Sequence, residues 1–196
     1  MTLPRIEWLT IDEAAAFAHH LRQHLADNGA HGQLFSPIES HELQITAVDV
    51  QRRAHATARG LLRPVDKLEW RRAFVVRDPS LTPAEIFRRP DRGLCGHVDL
   101  RGAMLPSALH RATLAMGLYA SARAQGHGRR LLDAALAWLR QQPSLVWVDL
   151  TVFSHNAAAL HLYRQAGFIE TGRTVDRYRV QGSSIDEIQL SLRLRP

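Results

Sequence analysis

The stretch Arg123-Ala124-Gln125-Gly126-His127-Gly128-Arg129-Arg130 decides the fold of this chain. Residues 110–120, just before it, form an apolar run typical of a strand. The apolar residues just after it recur at the spacing of one helical face and are Leu131, Leu132, Ala135, Leu136 and Leu139. Pro143 then ends the pattern. The sequence therefore predicts a strand that turns through two glycines into an amphipathic helix.

Such a turn favours the binding of a phosphate or pyrophosphate. Glycines allow a positive φ and a close approach of the backbone to a ligand. The first N–H groups of a helix have no internal partner, and the helix dipole favours negative charge there. The turn is not a Walker loop, because no Gly-Lys-Ser/Thr follows it, and it is not the three-glycine dinucleotide loop, since Leu131 stands three positions after Gly128. Taken alone, it is equally compatible with a helix start that binds nothing.

The remaining pattern predicts a mixed α/β domain with helices on both faces of one sheet. The predicted helices cover residues 13–27, with Asp12 as the cap, 48–62 and 156–165, with one helical turn near residue 84. The predicted strands cover residues 6–9, 70–76, 94–100, 145–152, 168–169 and 185–194. Residues 173–183 are predicted to form a hairpin.

A second motif follows the next strand. Asn156 and Tyr163 are seven residues apart, so both side chains fall on nearly the same helical face. Together with Arg123-x-x-Gly126-x-Gly128, the block formed by Asn156, Ala159, Tyr163 and Gly167-Phe168 resembles the GNAT superfamily of N-acetyltransferases. The resemblance is clear over residues 94–194 and extends loosely to the N-terminus.

The resemblance implies a fold and an activity. It implies a mixed, mostly antiparallel sheet of about six to seven strands in a single domain. Residues 1–93 form the acceptor-side half of that domain, and residues 94–194 form the acetyl-CoA-binding half. The implied reaction moves an acetyl group from acetyl-CoA to a primary amine of a small molecule, an amino acid or a protein N-terminus.

The resemblance also implies roles for individual residues. The strand before the glycine loop carries a bulge that splays it from its neighbour, and the pantetheine arm pairs with backbone groups of Leu118, Tyr119 and Ala120. The pyrophosphate is held between residues 123 and 130, by Arg123, Ala124, Gln125, Gly126, His127, Gly128 and Arg129. Asn156 bonds the cofactor arm, although a helix N-cap also explains it. Tyr163 acts as the general acid, although a core tyrosine also explains it.

The general base is left open. Many family members carry a Glu or Asp on the strand before the loop, and residues 111–119 contain neither. His97, Asp99 and His110 are the candidates, each of which is equally compatible with a structural role. A water relay, or an amine that needs no enzymic base, is the other alternative.

Composition excludes several classes of protein. The chain has 196 residues, and 25 Lys+Arg against 19 Asp+Glu give a net charge of +6. Acids are interspersed with the bases, which disfavours nucleic-acid binding. Residues 150–163 form the longest run without these charged residues, too short to span a bilayer. No secretory signal is visible and Cys95 is the only cysteine, so a cytoplasmic protein without disulfides is expected.

Three further expectations complete the sequence-based hypothesis. His20 and His24 have a metal-binding spacing but lack the accompanying Glu of a zincin, so no metal is expected. A homodimer is compatible with the family, although no sequence feature requires one. A non-catalytic acyl-CoA-binding module is the main alternative function, because the expected carboxylate is missing.

Overall fold

The computed structural model describes residues 5–28, 34–37 and 47–195. The strands in this part of the chain are β1 (Ile6–Trp8), β2 (Arg71–Arg77), β3 (Leu94–Gly102), β4 (Arg111–Leu118), β5 (Trp147–Phe153), β6 (Ile169–Val180) and β7 (Ser183–Arg193). The α-helices are α1 (Ala14–Ala26), α2 (Ala47–Leu62), α3 (Pro83–Arg88), α4 (His127–Arg140) and α5 (Ala157–Gln165).

The strands form one seven-stranded sheet in the order β1-β2-β3-β4-β5-β7-β6. Only β4 and β5 are parallel, and every other neighbouring pair is antiparallel. The predicted mixed, mostly antiparallel sheet is therefore confirmed.

Both faces of the sheet are covered, as the sequence predicted. On one face, Leu131, Leu132 and Leu139 of α4 are fully buried in the same apolar cluster as Val98 and Leu100 of β3. Burial of each leucine side chain contributes about 1.5–3 kcal/mol. Because side chains alternate along a strand, His97, Asp99 and Arg101 of β3 face the opposite side, toward α1 and α2.

The second core cluster lies on that opposite face. Phe17 of α1 is fully buried with Ala73, Val75 and Leu94 of β2 and β3. The two helices α1 and α2 therefore cover the face of the sheet on which His97 and Asp99 lie.

The start of α1 differs from the prediction that Asp12 caps it. Residues Ile11–Glu13 form a 3₁₀ turn, and the Glu13 carboxylate accepts hydrogen bonds from both the N–H and the hydroxyl of Thr10. Asp12 lies inside this turn, Thr10 is the N-cap of the turn, and Glu13 is the N-cap of α1 itself.

The predicted C-terminal hairpin is formed by β6 and β7. Gln181 and Gly182 at its turn have φ values of 51° and 76°. Two successive positive φ values match the twist of a tight hairpin, which explains why a glycine stands there.

The sheet splits between its two parallel strands. β4 and β5 pair only through Arg111↔Trp147, Ala112↔Val148 and Thr113↔Asp149, although each strand continues beyond these pairs. At the closed end, the Arg111 guanidinium donates two hydrogen bonds of 2.7 and 2.5 Å to the Asp149 carboxylate. The predicted splay is therefore present.

The bulge that was predicted to cause this splay is absent from β4. The β3–β4 register is unbroken from Gly96↔Leu118 to Gly102↔Ala112. β4 thus stays regular against β3, and the gap opens because β5 diverges with β7, to which it is paired over its whole length.

Candidate functional site

The open edge of β4 presents unused backbone groups to the gap. Tyr119, directly after β4, donates its N–H to the Cys95 carbonyl at 2.9 Å. The odd-numbered residues of β4 are therefore those whose backbone is hydrogen-bonded to β3. In an antiparallel ladder the alternate residues point the other way. The N–H and C=O groups of Leu114 and Met116 and the N–H of Leu118 therefore point into the gap between β4 and β5, whereas the Leu118 carbonyl accepts from Arg123 Nε.

The backbone of Tyr119 and Ala120 does not fit the role predicted for it. The Tyr119 N–H is donated to Cys95, and its carbonyl accepts from Ala122 at 2.9 Å. The Ala120 carbonyl accepts from the Arg123 N–H at 3.3 Å. Of the three residues predicted to pair with a pantetheine arm, Leu118 turns its N–H toward the gap, and Tyr119 uses both of its backbone groups elsewhere.

The glycine loop lies at the open end of the gap. Gly126 is the N-cap of α4 with φ 78° and ψ −2°, and Ala124 also has a positive φ of 58°. The first helical bond of α4 runs from the Arg130 N–H to the Gly126 carbonyl at 3.2 Å. The N–H groups of residues 127–129 precede that bond, so the helix offers them no acceptor.

The space around this loop fits a bound diphosphate. A Cβ built on Gly126 would meet nothing within 4 Å, so the N-terminal turn of α4 faces open space. A Cβ on Gly128 would lie 3.5 Å from both Leu118 and Leu162. Gly128 therefore brings the loop into close contact with β4 and α5, and the free N–H groups lie beside the end of the gap.

The charged side chains of the loop have different surroundings. Arg123 donates from Nε to the Leu118 carbonyl at 3.2 Å, and its guanidinium lies 5.7 Å from the centre of the Phe35 ring. Arg129 forms a half-exposed ion pair with Asp133 at 2.9 Å. His127 is buried, and burial lowers its pKa, so its imidazole adds no positive charge at neutral pH. Positive charge at the loop comes from the arginines.

Asn156 and Tyr163 lie on α5, as predicted, in surroundings that support their structural roles. Oδ1 of Asn156 accepts from the Ala159 N–H at 3.2 Å, which makes it the N-cap of α5. Tyr163 is 6% exposed, and its ring lies 5.7 Å from that of Phe168. Burial raises the pKa of the Tyr163 hydroxyl, so the phenol stays protonated and able to donate.

Two of the three candidates for the general base are poorly placed: Asp99 is held by ion pairs, and His110 lies at the closed end of the gap. Asp99 is 1% exposed and accepts hydrogen bonds of 2.6 and 2.7 Å from Arg71, with a further one of 2.6 Å from Arg101. His110 is exposed ahead of β4, at the closed end of the gap, where its carbonyl accepts from Val146 at 2.8 Å.

The third candidate, His97, belongs to a buried cluster with two histidines of α1, His20 and His24. Nδ1 of His97 lies 2.8 Å from Nε2 of His20, and Nδ1 of His20 lies 3.1 Å from the Leu94 carbonyl. Because a carbonyl only accepts, His20 carries its proton on Nδ1, and His97 donates from Nδ1 to His20 Nε2. Nε2 of neutral His97 is then a lone pair, with no hydrogen-bond partner among the described residues.

All three imidazoles are neutral at physiological pH. Burial lowers the pKa of His20 to about 4. Burial, followed by repulsion from His20, lowers the pKa of His24 to about 3. Burial also holds the pKa of His97 well below its usual range.

Gly117 brings this cluster against β4. It is the ladder partner of His97, and a Cβ on it would lie 2.3 Å from His24 Nε2 and 2.8 Å from His97 Cε1. The missing side chain therefore lets both rings touch β4 next to Met116, whose N–H faces the gap. In the sequence, His24 stands out only as half of a metal-binding spacing, so its position beside Gly117 was not predicted.

Other sequence-based expectations concern metals, membranes and Cys95. Among the described side chains, no set of three or more His, Cys, Asp and Glu is arranged to hold a metal ion. In the same part of the chain, no helix has the length and apolar character needed to cross a bilayer. Cys95 is buried in the core, and burial raises its pKa to about 11, which fits the predicted structural role.

Comparison with known proteins agrees with this geometry. A sequence profile of the acetyltransferase (GNAT) family matches residues 68–168, about half of the chain. Among solved structures, the chain is similar to yncA, a putative acetyltransferase from Salmonella typhimurium with its cofactor acetyl-CoA, at 15% identity and a TM-score of 0.73, covering 100% of this chain and 96% of the other.

Two further structures share the fold. One is a ribosomal-protein-alanine N-acetyltransferase from Brucella melitensis, with 18% identity, a TM-score of 0.69, and coverage of 96% of this chain and 99% of the other. The other is the spermidine/spermine N-acetyltransferase SpeG from Vibrio cholerae, with 17% identity, a TM-score of 0.64, and coverage of 97% and 94%. Acetyl-CoA, the acyl donor that the sequence predicted, fits these findings. The family profile matches residues 68–168, and these residues include the split between β4 and β5 and the glycine loop at its open end. The chain therefore belongs to the GNAT family of acetyltransferases.

Proposed function

We propose that this protein is an N-acetyltransferase that moves an acetyl group from acetyl-CoA to a primary amine by direct attack while both substrates are bound. The observation that carries the proposal is the gap between β4 and β5, which leads to the free N–H groups of the Gly126 turn. Residues 94–194 contain both features and form the donor-binding half, and residues 1–93 form the acceptor side.

The donor is held by backbone groups and by few side chains. The gap-facing edge of β4 pairs with the extended arm, and the N–H groups at the start of α4 hold the diphosphate. Arg123, Ala124, Gln125 and Arg129 complete the loop. The amide NH₂ of Asn156 is still available to the arm, because only its oxygen is used by the helix cap.

Acetyl-CoA supplies a thioester, whose carbonyl carbon is the electrophile. The N–H of Met116 faces the gap and stabilises negative charge that develops on the acyl oxygen. Tyr163, protonated because burial raises its pKa, donates a proton to the departing sulfur. The attacking amine must be neutral, which an α-amine with a pKa of about 8 reaches more readily at pH 7 than a lysine with a pKa of about 10.4.

His97 is the residue that we assign to accept the proton of the amine. Its Nε2 carries the lone pair that the hydrogen bond to His20 leaves over, and its ring touches Gly117 beside the gap. Burial holds its pKa well below the usual range, so the ring is neutral with its lone pair free before the reaction, and as a weak base it holds the amine proton only transiently. His20 is a positioning residue that fixes the tautomer of His97.

A non-catalytic acyl-CoA sensor is the second candidate function. It is favoured by the residues of β4, Arg111–Leu118, which include no carboxylate. The two functions differ in one measurement, since a sensor binds acetyl-CoA and releases no thiol.

The deciding experiment combines binding with turnover. Calorimetry with acetyl-CoA tests the donor site, and thiol release with a panel of α-amines, polyamines and lysine peptides tests the transfer. We expect both binding and amine-dependent thiol release. Binding without thiol release from any amine supports the sensor, and an absence of binding at millimolar acetyl-CoA overturns both functions.

A further inference from the structure

A cavity of about 420 Å³ lies on the acceptor side, between α2 and the adjoining ends of β2 and β3. Five arginines line it, namely Arg53, Arg59, Arg63, Arg71 and Arg101. One carboxylate, Glu69, shares the lining and pairs with Arg63 at 2.9 Å. The walls of this cavity therefore carry a clear excess of positive charge.

Helix α2 contributes the unbalanced part of this charge. Arg53 and Arg59 of α2, and Arg63 directly after the helix, line the cavity together with Ala56 and Gly60, whose small size leaves room for them. Arg53 and Arg59 are exposed, and among the described residues neither has an acidic partner. Cations gathered at one concave surface repel each other, and a bound anion relieves that repulsion.

The strand side of the cavity is rigid. Arg71 is 14% exposed and is held by two hydrogen bonds to Asp99 and by one of 2.7 Å to the hydroxyl of buried Thr57. Asp99 also pairs with Arg101 at 2.6 Å. One buried carboxylate thus fixes two guanidinium groups of the lining in defined positions, which lowers the entropy lost when they bind an anion.

The cavity and His97, the proposed proton acceptor, lie along the same strand, β3. His97, Asp99 and Arg101 are alternate residues of β3 and so face the same side. At about 3.4 Å per residue, Asp99 is about 7 Å and Arg101 about 14 Å from His97 along the strand. An acceptor whose amine is at His97 can therefore place a second group in the cavity if the two are about 7–14 Å apart.

We propose that this arginine-lined cavity binds an anionic group of the acceptor, either a carboxylate or a phosphate, two to four residue lengths from the reacting amine. The proposal rests on the proposed function, because it places the amine at His97. A free amino acid cannot bridge the two positions, since its amine and carboxylate are too close together. A peptide or protein N-terminus with an acidic or phosphorylated residue nearby has the required span.

Three tripeptide amides with free N-termini test this site, namely Ala-Ala-Glu, Ala-Ala-Gln and Ala-Ala-phosphoserine. Each is titrated into the full-length protein by calorimetry without acetyl-CoA, and each is then assayed for thiol release with acetyl-CoA. We expect the Glu peptide to bind about tenfold more tightly than its Gln isostere, through charge-assisted hydrogen bonds to arginine.

The variants assign the effect to the cavity. We expect the double variant Arg53→Ala/Arg59→Ala to lose the preference for the Glu peptide. We expect the single variant Arg52→Ala to keep it. Arg52 is a matched control, because it lies on the same helix and pairs with Asp49 at 2.7 Å outside the cavity. If only the phosphoserine peptide shows the preference and the double variant removes it, the anion is a phosphate and the site stands.

Equal binding of all three peptides overturns the anion site, as does a preference that survives the double variant. These outcomes are distinct from a failure of the proposed function. Turnover without an acidic preference leaves a transferase that lacks the anion site, whereas acidic preference without any thiol release leaves an anion site on a protein that is not a transferase.

Discussion

His20 and His97 are joined by a hydrogen bond of 2.8 Å between Nε2 and Nδ1, and the two residues are 77 positions apart in the sequence. The bond holds α1 against β3 on the face of the sheet that α1 and α2 cover. Since the Leu94 carbonyl fixes the proton of His20, this contact also fixes which nitrogen of His97 is basic.

The first prediction concerns acid stability. Burial lowers the pKa of His20 from 6.5 to about 4, so between these values the unfolded chain binds a proton that the folded chain excludes. The free energy of unfolding therefore rises with pH in this range and levels off above it, by up to about 1.4 kcal/mol per pH unit for each buried histidine. Urea unfolding at pH 7.5, 6 and 5 measures this slope, and a midpoint that does not change with pH contradicts a neutral buried cluster.

The second prediction concerns the proton acceptor. His97→Gln keeps an N–H donor for His20 but removes the basic lone pair, so kcat falls about 100-fold while the Kd for acetyl-CoA is unchanged. His161→Gln is the control, because His161 is an exposed histidine of α5. Equal kcat values for the two variants would show that His97 does not accept the proton.

The third prediction concerns the acid. Tyr163→Phe removes the hydroxyl that protonates the sulfur, and we expect kcat to fall about 100-fold with little change in acetyl-CoA affinity. Tyr178→Phe is the matched control, since the Tyr178 hydroxyl donates instead to Glu187 at 3.2 Å in the C-terminal hairpin. Full activity of Tyr163→Phe in a thiol-release assay returns Tyr163 to a purely structural role.

The fourth prediction concerns the glycine turn. Gly126→Ala places a Cβ in the open space at the start of α4 and costs about 1–2 kcal/mol of stability through the positive φ. We expect the Kd for acetyl-CoA to rise by about tenfold or more, because the backbone approach is blocked. Gly182→Ala, with a φ of 76° and equally open surroundings, introduces the same strain far from the loop. If both variants bind acetyl-CoA equally well, the Gly126 turn does not hold the donor.

The fifth prediction separates the two roles of Asn156. Asn156→Ala removes the helix cap and costs about 1 kcal/mol, whereas Asn156→Ser keeps a capping oxygen. If the amide NH₂ also bonds the donor, the Ser variant unfolds like the wild type but binds acetyl-CoA more weakly. Normal acetyl-CoA affinity of the Ser variant, measured by calorimetry, limits Asn156 to capping.

Local patterns predicted the elements around the donor site well. The amphipathic face of α4, the glycine turn before it and the C-terminal hairpin each depend on residues close together in the chain, where periodicity and turn chemistry are strong. The cap of α1 was wrong because Thr10 and Asp12 both suit a cap, and the 3₁₀ turn decides between them.

Features that depend on residues far apart in the chain could not be predicted from the sequence. The cluster of His20, His24 and His97 forms only because α1 packs on β3, and its one local signal is Gly117 near the end of β4. The bulge expected in β4 is absent, and the gap opens instead where β5 diverges from β4. The use of the Tyr119 N–H by Cys95 likewise follows from strand pairing alone.

The three ladder pairs between β4 and β5 have a mechanical consequence. The part of the sheet formed by β5, β7 and β6 is paired with the remaining strands at one end only, near Thr113 and Asp149. We expect a molecule bound along the facing edges to act as a transient eighth strand that makes the sheet continuous across its width. Amide hydrogens on those edges should then exchange more slowly in the loaded protein than in the free one.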